Sequence, residues 1–266
     1  MDQATFDARL QRYYGTHVDE GARLGRTAAG AVELIRTREV VGAHLGPGSR
    51  VLDVGGGTGV HATWLAAQGH DVTLVDPVAS QVETARAVGT FTAEVGDARA
   101  LRAADATFDA VLLAGPLYHL AARDDRLRAL REALRVLRPG GVVLAAGITR
   151  SIATMDVVLS RRFTALPGPE LTRLLETGEP AEALDRDEGG FPGAHFHTAA
   201  ELADELTTAG FRDARVVGVE GPGSLALEFL RPDDDVVAAA LVLARAADGD
   251  TEAVDLSGHL LGVGVR

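Results

Sequence analysis

The chain of 266 residues carries 26 basic against 38 acidic side chains, a formal charge of −12, and that excess excludes the basic groove a nucleic-acid binder needs for its phosphates. It has no cysteine, hence no disulfide and no thiolate metal site, and no apolar run of the roughly eighteen residues that a membrane-spanning helix requires. The start, Met1-Asp2-Gln3-Ala4-Thr5-Phe6-Asp7, is polar and acidic, unlike a secretory signal. The expectation is a soluble cytoplasmic protein, monomer or homodimer, with no nucleic-acid and no membrane partner.

Residues 3–14 predict a short amphipathic helix, with Phe6, Leu10 and Tyr13 or Tyr14 at helical spacing. A polar break at Gly15-Thr16-His17 follows. Glu20 to Leu45 then predicts a longer helix, with Leu24, Ala28, Val32, Ile35 and Val40 along one face, ended by Gly46-Pro47-Gly48. Residues 1–48 thus form a helical cap. Alternation begins at Val51–Val54, an apolar run suited to a strand buried on both faces. Strands are predicted at Val72–Val75, Phe91–Val95, Phe108–Leu113 and Val142–Ala146. Helices are predicted at Thr58–Gln68, 79–88 and Asp125–Leu137, the last with Leu127, Leu130, Leu134 and Leu137 on one stripe. Strand–helix repeats of this kind give an α/β fold, a doubly wound and mostly parallel sheet, with residues 49–149 as its ligand-binding core.

Between 150 and 197 the regularity weakens. Met155–Phe163 has helical character, and Leu166–Gly193 is rich in proline, glycine and acids, as in a lid insertion. Residues 198–266 return to the sheet. Thr198–Ala209 predicts a helix with Thr198 and Glu201 as a capping box. Phe211–Val219 predicts a strand, Glu220-Gly221-Pro222-Gly223 a tight segment and Asp234–Ala246 a helix. His259–Val265 predicts a last, antiparallel strand, the seventh. One domain over residues 1–266 is expected.

The chain is organised around Arg50–Val60, a strand that runs into Asp53, then four glycines within five residues, then a helix. Such a loop lets backbone approach a ligand closely and aims helix N–H groups at it. Lysine is absent, so this is not a phosphate-binding loop of the G-K-[ST] kind. A dinucleotide fingerprint counted from Gly55 has Val60 where the third glycine belongs, and counted from Gly57 has Ala62, a relaxed match. The pattern met in full is D-x-G-x-G-x-G, from Asp53 through Gly55, Gly57 and Gly59. Asp76-Pro77 ends the second strand, where a carboxylate accepts from ribose hydroxyls in either ligand class. Gly96-Asp97-Ala98 ends the third strand, Leu113-Ala114-Gly115-Pro116-Leu117-Tyr118-His119-Leu120 the fourth, and Arg138-Pro139-Gly140-Gly141 precedes the fifth.

These five motifs, in this order, resemble those of class I S-adenosylmethionine-dependent methyltransferases, with a Rossmann-like sheet. Tyr13-Tyr14, Asp19-Glu20 with Arg23-Leu24, Gly115–Leu120, Ala194-His195-Phe196-His197-Thr198 and Val219-Glu220-Gly221-Pro222-Gly223 further resemble a bacterial subgroup acting on small molecules of natural-product pathways. That subgroup includes indole C3-methyltransferases acting on tryptophan-derived diketopiperazines. The resemblance implies S-adenosylmethionine as cofactor, bound by Tyr14, Arg23, Asp53, Gly55, Gly57, Asp76, Pro77, Gly96, Asp97, Ala98 and Ala114. Ala114 stands where a bulkier leucine is expected.

His119, after the fourth strand, is the candidate general base, because imidazole titrates near neutrality. Tyr118 shares its mouth, and Tyr13 would face the methyl group. Glu220 is a candidate anchor or proton acceptor. His195 and His197 are candidates for orienting substrate; a metal is not expected, as no carboxylate-rich motif accompanies them. Each of these residues also has a plain structural use, in packing, capping or surface pairing. Three readings compete with methyl transfer to a small O-, N- or C-acceptor: an NAD-dependent oxidoreductase, a non-catalytic S-adenosylmethionine-binding module, and a protein or RNA methyltransferase. The acidity disfavours the third.

Overall fold

The computed structural model describes residues 3–16, 20–159, 168–180 and 191–266. Asp19, and the parts of the expected lid at 160–167 and 181–190, lie outside the described residues.

A seven-stranded sheet forms the centre. Its strands are β1 Arg50–Val54, β2 Asp71–Asp76, β3 Thr92–Val95, β4 Phe108–Leu113, β5 Leu137–Ile148, β6 Arg212–Gly218 and β7 His259–Val265. Their order is β3-β2-β1-β4-β5-β7-β6. The five strands on one side are parallel, and β7 inserts antiparallel between β5 and β6. This is the Rossmann-like, doubly wound arrangement expected, including the antiparallel last strand. The order reverses between β1 and β4, so a crevice opens at their carboxyl ends, where ligands bind open α/β sheets.

The layers follow from the strands' alternation. Val111, Leu113, Val143 and Ala145 face one side, where they pack on α7 (Arg123–Val136) and α10 (Ala199–Ala209) through Leu127, Leu130, Leu202 and Leu206. Ala110, Leu112, Leu144 and Leu261 face the other, against α3 (Ala28–Gly42), α4 (Val60–Ala67) and α5 (Ala79–Val88) through Val41, Leu65 and Val82. The expected capping box is present: the Thr198 hydroxyl accepts from Glu201 N, and Glu201 accepts from Thr198 N.

The helix expected from Glu20 to Leu45 is two helices, α2 (Glu20–Leu24) and α3, with a break at Gly25–Thr27. Thr27 caps α3 by accepting from Gly30 N at 3.1 Å. A Cβ on Gly30 would stand 2.8 Å from the Leu24 carbonyl, so α2 folds back onto the start of α3 through a glycine that leaves room for it. That turn brings Arg23 to Glu33. The turn expected at Arg138–Gly141 lies inside β5: Leu137 pairs with Phe108 and Val142 with Ala110, so the extra residues form a bulge. A short helix not anticipated, α6 (Pro116–His119), carries the residues after β4. Before the sheet, α1 (Gln3–Thr16) lies over its carboxyl edge, packing Phe6 and Leu10 on Ala194. In the C-terminal part, α8 (Arg150–Leu159) and α9 (Gly168–Thr177) follow β5, while α11 (Ser224–Leu227) and α12 (Asp234–Ala246) follow β6. No helix among the described residues is long and apolar enough to cross a membrane.

Candidate active site

The glycine loop is packed from below. A Cβ on Gly55 would lie 2.8 Å from Pro116 Cδ, one on Gly56 2.7 Å from Asp53 Oδ2, and one on Gly59 2.5 Å from Phe91 Cζ. Gly59 is also left-handed at φ 89° and caps α4. With its lower side filled, the loop presents its other side to a cavity of about 450 Å³, within the usual size of a small-ligand site.

Asp53 is not on that surface. It is fully buried beneath the loop, absent from the cavity lining, and neither carboxylate oxygen has a hydrogen-bond partner. Burial, with the charge of Asp76, raises its pKa to about 7. Asp53, expected among the cofactor residues, lies outside the lining and supports Gly56 from below.

Gly55, Gly57, Asp76, Pro77, Gly96, Asp97, Ala98 and Ala114 do line the cavity. Asp76 ends β2, with Oδ2 accepting from Gly57 N at 2.9 Å and Oδ1 from Val78 N at 2.8 Å. Those bonds lock the carboxylate at the switch point, while burial raises its pKa. Asp97 is gripped by Arg99, whose Nη2 stands 2.6 Å from Oδ2; burial opposes its ionisation, but Arg99 outweighs that and keeps it below the usual carboxylate range. Arg99 also reaches Asp7 on α1 at 3.2 Å. Gln81 Nε2 donates to Tyr14 O at 2.7 Å, and Gln11 Nε2 to Pro77 O at 2.7 Å. These bonds hold α1 across the Asp76–Asp97 side of the cavity.

At the end of β4 stands an aromatic chamber. His119 is enclosed by Tyr14, Tyr118 and Phe191, with ring centroids 5.6, 4.6 and 5.5 Å away, and Tyr13 stands 6.3 Å from Phe191. All five line the cavity. His119 Nδ1 is 2.8 Å from the Pro192 carbonyl, which only accepts, so Nδ1 carries the proton. Burial lowers the His119 pKa to about 4, so at neutral pH Nε2 is a lone pair that takes the Tyr14 hydroxyl proton at 3.2 Å. Tyr118 donates its hydroxyl to the Ala114 carbonyl at 2.9 Å and so braces the strand end.

His195 and His197 do not reach the cavity. They lie outside its lining with rings 4.5 Å apart, and His197 Nε2 lies 3.4 Å from Glu205 on α10. Arg126 of α7 donates to Glu205 at 2.8 and 3.0 Å and to the carbonyls of Leu120 and Ala121 at 3.0 and 2.7 Å. The backbone N–H groups of Ala194 and His195 donate to Tyr118 O at 2.8 and 3.3 Å. The two histidines, expected to orient substrate, belong to a buried network that tethers the Tyr118–Ala121 segment to both helices. Their atoms and Glu205 lie within metal-chelating range, but Glu205 is already taken by Arg126.

Glu220 is likewise not in the lining. It is 2% exposed and saturated, accepting from Ser257 Oγ at 2.7 Å, His259 N at 2.8 Å and His259 Nδ1 at 2.5 Å. The residue it holds, His259, was not singled out from the sequence but lines the cavity, as do Glu33 and His61. Two expectations together contain the missed signal. His259 opens a last strand predicted to be antiparallel, which sets its first residue at the carboxyl edge of the parallel strands. Arg23 lines the cavity with Nη1 and Nη2 each 2.9 Å from Glu33.

Residues 51–141 match the family described as Methyltransferase domain. The chain is 42% identical over 93 residues to a methyltransferase of Mycobacterium tuberculosis, covering 35% of this chain and 37% of that one. It is 36% identical over 160 residues to an O-methyltransferase of Aspergillus sclerotiorum, covering 53% and 59%. The chain thus spans about a third to three-fifths of the length of these curated relatives. An S-adenosylmethionine-dependent methyltransferase structure from Mesorhizobium loti shares the fold, with TM-score 0.59 and 22% identity over 87% of this chain and 98% of that one. The family match covers residues 51–141, and the likeness to the solved structure shows the fold. The residues present fit S-adenosylmethionine: the glycine loop, a carboxylate at the end of β2 and another after β3 surround one cavity.

Two outcomes follow from this geometry. Asp76→Ala should weaken S-adenosylmethionine binding about ten- to a hundred-fold by calorimetry, since a charged acceptor for two hydroxyls is lost; wild-type affinity in a folded variant would remove Asp76 from the ribose site. Asp53 binds its proton more tightly folded than unfolded, so cofactor-free stability should fall as pH rises from about 4 through 7. Urea melts of Asp53→Asn should lack that descent; an identical pH curve would show that Asp53 does not titrate there.

Proposed function

We propose that the protein transfers the methyl group of S-adenosylmethionine to a small, flat acceptor held in the aromatic chamber beside His119. The observation that carries this reading is the state of His119: buried, neutral, with Nδ1 pinned to Pro192 and Nε2 directed at a hydroxyl. A lone pair so placed, walled by Tyr13, Tyr14, Tyr118 and Phe191, suits the O–H or N–H of an aromatic acceptor.

When bound, the cofactor supplies a methyl group made electrophilic by its positively charged sulfur. The chain's own task is orientation in a dry pocket, because displacement requires nucleophile, carbon and sulfur in line. Asp76 and Asp97 anchor the nucleoside side, and the glycine loop takes the amino-acid end. Tyr14 yields His119 Nε2 to the acceptor hydrogen. With a pKa near 4, His119 accepts a hydrogen bond at first and takes the proton as methylation makes the acceptor acidic. For an indole carbon the same lone pair would hold the ring N–H and raise electron density at C3. Natural-product acceptors of this shape, including indoles, are the substrate class we infer.

The buried network of Arg126, Glu205 and His197 contributes by holding Leu120 and Ala121, and through them His119, in position. An NAD-dependent oxidoreductase is less well supported, because the loop lacks a third glycine in register and the family match is to methyltransferases. His119→Ala should leave S-adenosylmethionine affinity within about two-fold while slowing turnover by about ten- to ten-thousand-fold on a panel of phenols, amines and indoles with labelled cofactor. Unchanged turnover on every acceptor used by the wild type would take His119 out of the mechanism.

A further inference from the structure

The cavity has a second polar end, where Arg23, Glu33, His61 and His259 meet. His259 opens β7 beside Ile148, the last residue of β5, and both line the cavity. In the strand order this is two strands beyond β4, on the opposite side from β2 and β3, whose acids serve the nucleoside. His259 Nδ1 sits 2.5 Å from Glu220 Oε1 and 3.8 Å from Glu33 Oε2, so Nδ1 is a donor facing two carboxylates. Glu220 is fixed in turn by Ser257 and by the His259 backbone, so the ring cannot turn without losing that support. Among the described residues nothing takes Nε2, and Nε2 is the ring nitrogen left for the cavity.

The surrounding charges come from several elements. Glu33 comes from α3, Arg23 from α2, Glu220 from the segment after β6, Glu228 from the end of α11 and His61 from α4. Burial opposes protonation of His259, but Glu33 and Glu220 outweigh it and lift its pKa to about 9. Burial raises Glu228 and lowers His61, the latter to about 4, so His61 is uncharged near neutrality. Glu33 is neutralised by Arg23 on both oxygens, and Glu220 by His259 itself. His259 is thus a donor at this end of the cavity, beside Arg23 and His61, and the paired carboxylates leave no excess negative charge that would repel an anion.

Resting on the methyltransferase reading, we infer that this end of the cavity is a subsite for a carboxylate or carbonyl oxygen of the acceptor, which the Nε2–H of His259 binds. The acceptor class narrows to aromatic compounds with a side chain that ends in such an oxygen. The ring then lies in the chamber near His119 and the oxygen reaches toward β7. His259 is a specificity-determining residue on this view, remote from the reacting atoms.

The test uses protein loaded with S-adenosylhomocysteine and two matched probe pairs: indole-3-acetate against 3-methylindole, and 4-hydroxyphenylacetate against p-cresol. In at least one pair the acid should bind about ten-fold or more tightly than its partner at pH 7, as expected for a hydrogen bond between charged groups. The advantage should fade as pH rises through about 9, where His259 loses its proton. His259→Phe should reduce it below about two-fold, and His259→Gln, which keeps a neutral donor, should restore part of it. Both variants should keep S-adenosylhomocysteine affinity and the wild-type circular dichroism. No preference for either acid in the wild type, or an undiminished preference in a folded His259→Phe, would overturn the subsite. Weakened S-adenosylhomocysteine binding with the preference intact would also overturn it, by assigning His259 to the cofactor. Failure of the wild type to bind S-adenosylhomocysteine at all would overturn the methyltransferase reading first.

Discussion

The structure depends on one steric constraint, the absence of room for side chains under the loop after β1. Pro116, Asp53 with Leu74, and Phe91 each occupy the space where a Cβ on Gly55, Gly56 or Gly59 would go. The contacts come from four directions: α6, the end of β1 with β2, and the start of β3. They fix the loop between the parallel strands, where Gly55 N donates to Val75 O and Gly57 N to Asp76, and they close the crevice from below. The cavity, the position of Asp76 against Gly57 N and the entry of α4 follow from that packing. Asp53 belongs to the support, where its unpartnered carboxyl tolerates burial by staying largely protonated below about pH 7.

On this base the aromatic chamber around His119 is built by tethering. Residues 116–121 leave β4 as a short helix and would be mobile alone, but Arg126 holds two of their carbonyls and the 194–195 backbone holds a third. Glu205 and His197 complete the network without reaching the ligand. Removing one member of a buried ion pair leaves an uncompensated charge, which typically costs about 3–5 kcal/mol, so the segment is rigidly held. Rigidity at this place lets Pro192 set the His119 tautomer, and the tautomer decides that a lone pair faces the chamber.

The sheet was legible in the sequence because its strands are short apolar runs closed by glycine, proline or aspartate. β4, α5, α12 and β7 have the limits expected, and the Thr198–Glu201 box was readable as three residues of spacing. The break at Gly25–Thr27 was not, since the apolar stripe continues through it and only the close approach of Leu24 to Gly30 reveals the turn. The two acids of the cavity, Asp76 and Asp97, were readable at or just beyond the ends of consecutive strands. The sequence did not show how Glu220 and His197 are partnered, because their neighbours are distant in sequence: Ser257 and His259 for Glu220, and Glu205, itself held by Arg126, for His197. Charge and spacing do not show whether a titratable group is already satisfied. His259 was overlooked for the converse reason, as a strand's first residue looks ordinary until its neighbours at positions 33 and 220 are known.

The central claim is that this cradle holds S-adenosylmethionine and not a dinucleotide, and one calorimetric experiment addresses it directly. The cofactor-free protein is titrated in turn with S-adenosylmethionine and with NAD at neutral pH. A single saturable site for S-adenosylmethionine, with no heat of binding from NAD, is the result expected from the loop, Asp76 and Asp97. Saturable binding of NAD with none of S-adenosylmethionine would contradict it.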